Sequence, residues 1–325
     1  MSGELEGLLV ILCLNTIYAY GVFLPAASGQ LNLGAAGFIT LGAYCSAWLN
    51  SAIDGLGFPI FASIPLSVLF AGAIGFIIAF PILRTRGVYM VLATFAFAEV
   101  VAGLVINLEF LGAAQGMPVD AHMPFIGTGL GSLLDAIGLP LASGKDGDPF
   151  IGLALVTLLV VIFCHYLMAT RFGLAMRSIH DDENVATLFG VNTRMSRVWA
   201  FAVGAALMGL GGALYGHHFN YVEAQNFNVL LSIYILLYVL LGGTQTAWGP
   251  VIGAVFFTFV PELFRSLGQV TGEKWLEDGR FVAFGVLIVL MMVVRPEGVV
   301  TRTLLERLTG GRKRAETGAP AQTAG

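Results

Sequence analysis

Three acids in a row are the first candidates for chemistry in this sequence. Asp181, Asp182 and Glu183 lie between Arg171 and Arg177 on one side and Arg194 and Arg197 on the other. Their pattern suits the start of a helix. Asp181 is a good N-cap, and Asp182 and Glu183 then fall in the first turn, where carboxylates favour the positive end of the helix dipole. Glu99, inside "ATFAFAEVVAG", is the clearest acid within an apolar run. A charge at the centre of a bilayer costs roughly 2.5–3.5 kcal/mol on insertion scales, so such a residue is a functional candidate by default. No acid, His or Lys stands one or two turns away to make it half of a catalytic pair. The favoured reading is a carboxyl hydrogen-bonded inside a helix bundle.

The other reactive residue types give less. His217 and His218 are adjacent, so their side chains diverge on a helix, and no third ligand is evident. His165 reads as a satisfied core residue. Cys13, Cys45 and Cys164 sit far apart inside apolar runs and read as small packing residues. "GLPLASGKD" (138–146) is not a phosphate loop: it has one residue too many between Gly138 and Gly144, and Asp146 where a Ser or Thr must hold Mg²⁺. No catalytic or metal-binding constellation emerges, nothing points to a cofactor or to nucleic acid, and the chain is not expected to hydrolyse ATP by itself.

The elements that position these residues must lie in lipid. The chain is 57% hydrophobic and only 11% charged, with a mean hydropathy of +0.84; soluble domains are roughly 25% charged. The N-terminus, MSGELEG, lacks the basic region of a cleaved signal peptide, so the first apolar run is expected to be a retained span. Runs long enough to cross a bilayer number about nine, at roughly 5–24, 35–53, 59–83, 87–109, 150–170, 196–216, 227–247, 249–268 and 280–296. The fold class is therefore all-α, a polytopic transmembrane bundle over residues 1–300, followed by a basic, small and polar tail over 301–325.

Basic residues set the orientation. Arg84 and Arg86, the Arg171–Arg197 group, and the group from Arg295 to Arg314 all fall on one side if nine spans alternate, and that side is cytoplasmic. The acidic N-terminus and a long segment at 110–149 then face outward. Two places resemble each other: "GQLNLGAAGFITLGAY" (29–44) and "GGTQTAWGPVIGAVFF" (242–257). Each carries a polar, glycine-rich break and then resumes as a helix of small residues. Gln30, Asn32 and Gly34, with Gly243, Thr244 and Gln245, are thus candidates, alongside Glu99, for a helix break or a solute path. An ordinary pair of loops is the alternative. Gly212 and Gly216, and Gly249 and Gly253, place small residues on single helix faces that allow close packing.

Residues 178–190, "SIHDDENVATLFG", then read as a short cytoplasmic helix. Val185, Ala186, Leu188 and Phe189 supply an apolar side, Gly190 sits where a helix ends left-handed, and Asn192 or Thr193 caps the next span. A helix so short is marginal alone and must dock, either on the membrane surface or on a cytoplasmic partner.

At this point the sequence resembles a family. "SGQLNLGAAGFITLGAY", "RTRGVYMVLATFAFAE", "TRFGLAMRSIHDDENVATLFGVN", "AFAVGAALMGLGGALYG", "LLGGTQTAWGPVIGAVFF" and "RPEGVV" are similar, in order, to motifs of the permease subunits of branched-chain amino acid ABC importers, of the LivM type. The resemblance implies a bacterial inner-membrane assembly. A second permease subunit would share the translocation path, cytoplasmic ATP-binding cassette subunits would drive it, and an extracytoplasmic binding protein would deliver the solute. It also implies that Asp181–Gly190, with Asp181, Asp182, Glu183, Ala186, Phe189 and Gly190, forms the coupling helix that seats in the ATPase. The chain departs from the family's pattern at Ala35, where a His is frequent, and at "LGAAQG" (111–116). Urea, short amides or other small organic acids therefore stand beside leucine, isoleucine and valine as solutes. A self-contained, ion-coupled transporter is the rival reading, but that class needs several intramembrane acids or bases and Glu99 is nearly alone.

Overall fold

The computed structural model describes residues 2–51, 55–85, 87–119 and 149–271, with isolated positions at 282, 285, 286 and 289. Ten α-helices dominate: α1 (Ser2–Ala26), α2 (Ala35–Asn50), α3 (Ile60–Ile82), α4 (Val88–Asn107), α5 (Pro149–Ala169), α6 (Arg171–Asp181), α7 (Glu183–Leu188), α8 (Thr193–Phe219), α9 (Val229–Gly242) and α10 (Gly249–Thr271). Seven of the described helical segments are long and apolar enough to cross a membrane. The chain is thus a multi-pass membrane protein with a polytopic helical bundle. The expected ninth span at 280–296, save those four positions, with residues 120–148 and the tail 301–325, lies outside the described residues.

α8 is the hub, packed against α1, α2 and α3. Side-chain size explains how. On α3, Ser63, Ser67, Ala71, Gly75 and Ala79 recur every fourth residue and all are buried. Gly75 meets Ala205 and Ala71 meets Gly209 of α8, and the adjacent Gly72 meets Ala206. Small residues on both surfaces bring backbones close enough for dispersion and weak polar contacts to hold helices where lipid offers no hydrophobic drive. Of the expected Gly212/Gly216 and Gly249/Gly253 pairs, Gly212 and Gly253 serve this purpose, while Gly216 faces the Val222 side chain and Gly249 the Gly243 carbonyl, both outside helices. A Cβ at Gly212 would run into the backbone of Ile39 in α2, and one at Gly253 into the backbone of Tyr238 in α9.

Two short strands, β1 (Met117–Pro118) and β2 (Tyr221–Val222), pair antiparallel with Met117 opposite Val222. They tie the chain beyond α4 to the chain beyond α8 on one side of the bundle, as the alternating topology requires. At the opposite end, Arg194 sits over the ring of Phe80 and Arg197 pairs with Glu183 at 2.7 Å, so the basic groups around 84 and 171–197 share a face. With the native cysteines removed, a single cysteine at Gln225 should react with a membrane-impermeant maleimide in intact cells, and one at Leu188 only after permeabilisation. Equal labelling of both from outside would break this topology.

Candidate functional site

The first polar break follows from α1 ending at Ala26. Residues 30–34 run without helix, and α2 then resumes with only 16 residues. At 1.5 Å per residue α2 is about 24 Å long, shorter than a hydrocarbon core of about 30 Å. The non-helical backbone before it finds partners inside the protein. The Leu33 amide donates to the Thr94 hydroxyl of α4 at 3.1 Å. The Gly34 amide donates to Asn32 Oδ1 at 2.7 Å, and the Ala36 amide to the Ser232 hydroxyl of α9 at 2.8 Å. The second break opens where Gly243 adopts φ +106°, a conformation other residues resist. It ends α9 at Gly242, earlier than the expected boundary near 247. The Tyr20 hydroxyl of α1 donates to the Ala247 carbonyl at 2.8 Å. Both non-helical stretches are tied down by side chains of other helices.

Gln30 is 3% exposed, and neither its amide oxygen nor its amide nitrogen has a hydrogen-bond partner among the described residues. It lines a cavity of about 490 Å³ that also takes in Thr85, Gly87, Val91, Glu183 and Arg197. The polar stretch at 29–31 and the charged segment, read separately in the sequence, thus border one space. Asn32 is buried beside it, while Gly243, Thr244, Gln245 and Glu99 do not line that cavity. Glu99 corrects the sequence reading. It faces outward on α4, without a hydrogen bond or ion pair among the described residues, and is not enclosed in this chain's bundle. The buried face of α4 is made by Met90, Thr94, Ala98, Val101 and Val105.

The charged segment at 171–190 holds two helices where one was expected. α6 is amphipathic, burying Gly173, Met176 and Ile179; its spacing of three residues between Met176 and Ile179 was the missed signal. Asp181 ends α6 and is not the cap. Asp182 is the N-cap of α7: its Oδ1 accepts from the amides of Asn184 at 2.8 Å and Val185 at 3.2 Å. Glu183 is held by Arg197, which ties α7 to the first turn of α8. Gly190 takes φ +81° after α7, and Asn192, whose Oδ1 accepts from the Met195 amide at 3.1 Å, caps α8. Asp182→Ala should loosen α7 by about 1 kcal/mol, read as roughly fivefold faster amide exchange at Asn184 and Val185. Unchanged exchange would show that packing alone holds α7.

Ala186 also departs from expectation. It is 1% exposed in the chain itself, so it seats α7 on its own protein and does not offer a docking face. The outward face belongs to Leu188 and Phe189, 86% and 84% exposed, with Val185 beside them. Between α6 and α7 runs a groove of about 520 Å³ bordered by Leu174, Ser178, Val185, Ala186 and Phe189. His217 is buried and shares a 2.8 Å hydrogen bond with Ser46; His165 packs against Trp248. Cys13, Cys45 and Cys164 are free thiols. Among the described residues no group of three His, Cys, Asp or Glu could hold a metal ion.

The described chain is thus a bundle of membrane-length helices with two polar, glycine-rich non-helical stretches and a short capped helix beside Arg197. Residues 5–294 match the family described as "Branched-chain amino acid transport system / permease component", and the chain belongs to that family. It is 30% identical over 299 residues, covering 88% of this chain and 68% of the relative, to the high-affinity branched-chain amino acid transport system permease protein LivM of Escherichia coli K12. It is 30% identical over 271 residues, 78% and 77% of the two chains, to the nucleoside ABC transporter permease protein NupC of Lactococcus lactis. The permease protein LivH of the E. coli K12 high-affinity branched-chain system is 24% identical over 155 residues, 47% of this chain and 46% of its own. No solved structure matches.

Proposed function

We propose that this chain is one of two membrane subunits of an ATP-driven importer in a bacterial inner membrane. It forms part of the path for branched-chain amino acids or a similar small polar solute, and it does no covalent chemistry of its own. ATP-binding cassette subunits act from the cytoplasm, and a binding protein delivers solute from outside. Membership of the permease family over nearly the whole chain carries this reading. The capped α7, with Leu188 and Phe189 turned outward, supports it as the place where the ATPase takes hold.

Mechanically, α7 is braced twice at its N-terminal end. The Asp182 cap fixes its start, and the Glu183–Arg197 pair links it to α8. α8 is packed against α1, α2 and α3, so force on α7 reaches the helices that flank the first break. The same pair borders the cavity beside Gln30, so movement of α7 alters the inner mouth of the bundle directly.

The branched-chain solute follows the names of relatives such as LivM, while the nucleoside permease NupC marks how far solute chemistry varies among similar chains. The deciding experiment is uptake of labelled leucine, isoleucine, valine, urea and uridine in cells with and without the gene. Loss of branched-chain uptake on deletion supports the assignment. Loss of only another solute would replace the substrate, and uptake independent of any ATPase would replace the mechanism.

A further inference from the structure

We infer that the outward face of α4 is the seam against a second, different permease subunit, with Glu99 held in that contact and not in lipid. The inference rests on the reading that two permease subunits assemble. Tyr89, Leu92, Ala96, Glu99 and Gly103 follow one another at spacings of three and four residues, and all are exposed. A repeat of 3.5 residues keeps one stripe of a helix against a neighbouring helix along its length.

α3 exposes Phe61, Leu66, Leu69 and Ile77, and α5 exposes Leu158, Leu159, Ile162 and Phe163; bulky apolar side chains suit acyl chains. α4 exposes such residues too, Tyr89, Leu92, Val100 and Leu104 among them, but differs in presenting a carboxylate, Glu99, near its middle, flanked in the stripe by the small residues Ala96 and Gly103. Acyl chains cannot hydrogen-bond a carboxylate, charged or protonated, so whatever covers Glu99 must supply donors or water. Gly103 is the second, independent observation. A Cβ there would meet nothing within 4 Å among the described residues, whereas one at Gly42, Gly204 or Gly212 would strike neighbouring backbone. Glycine weakens a helix interior, and no described residue of this chain requires it at 103. A neighbour outside the chain that approaches closely does.

The occupant follows from charge and from the relatives. A second copy would bring like charges to the same face. LivM and LivH of E. coli K12 are both named as permease proteins of a high-affinity branched-chain system, and this chain is similar to each. A distinct family member with a donor opposite Glu99 fits better than a copy.

The test uses the full chain in its native cells, with a photoreactive benzophenone side chain at position 103 or, as a lipid-facing control, at 159. The expected result is one crosslinked protein at 103, identified by mass spectrometry as a different permease of this family, and none at 159. Gly103→Leu should reduce recovery of that subunit at least tenfold and Leu159→Phe should not, with equal amounts of chain in the membrane. Capture of another copy of this chain at 103, capture at both positions alike, or no capture overturns the inference. So does full pairing by Gly103→Leu. Uptake measured with the unaltered chain separates the two levels. Normal uptake without capture strikes this face alone, whereas no dependence of uptake on the chain strikes the permease reading as well.

Discussion

Leu188→Asp combined with Phe189→Asp should abolish uptake while leaving the permease folded and inserted. Both side chains are almost fully exposed, so the chain itself loses little when they become polar. In the assembled transporter they are proposed to sit in the ATPase, where burying unpaired carboxylates costs several kcal/mol. About 3 kcal/mol would weaken the contact roughly 100-fold. Pull-down of the ATPase subunits and binding-protein-stimulated ATP hydrolysis should fall together with transport. Ala186→Arg does not make this test, because Ala186 is buried within its own chain and its replacement disturbs α7 first.

Gly42→Leu should have the opposite signature and destroy the bundle itself. A Cβ at Gly42 would collide with the backbone of Gly209, at the crossing of α2 and α8. Overpacking usually costs about 1–3 kcal/mol where side chains can yield. Here the obstructing atoms are main chain, and relief requires α2 and α8 to separate along a surface that also seats α3. The expected result is loss of most detergent-stable protein on size-exclusion chromatography, with Gly7→Leu unaffected, since a Cβ at Gly7 has nothing within 4 Å. Wild-type behaviour of Gly42→Leu would mean that α2 and α8 do not pack as described.

The spans were legible because lipid demands long apolar runs, and the expected positions of α3, α4 and α5 fall within a residue or two of those observed. Direction was not legible. In a soluble helix the polar face marks the outside, but around α4 the outward and core-facing sides are both largely apolar. Hydropathy alone therefore placed Glu99 inside the bundle when it points out. The cap of α7 failed for a smaller reason. Asp181 and Asp182 are chemically identical caps, and the choice between them is made by how far α6 extends, which Met176 and Ile179 decide by packing inward. The two helix breaks were legible from glycine and polar residues, while the groups that satisfy them, Thr94, Ser232 and Tyr20, are remote in sequence and only the fold assembles them.

The coupling role of α7 is tested most directly by a single cysteine at Leu188 in the assembled transporter, treated with a bifunctional thiol reagent in inverted vesicles. The account predicts one dominant product, the permease joined to an ATP-binding cassette subunit, and ATP-driven uptake that falls in proportion to crosslinking. Modification of that cysteine with no ATPase captured and transport intact would show that α7 merely rests on the membrane surface.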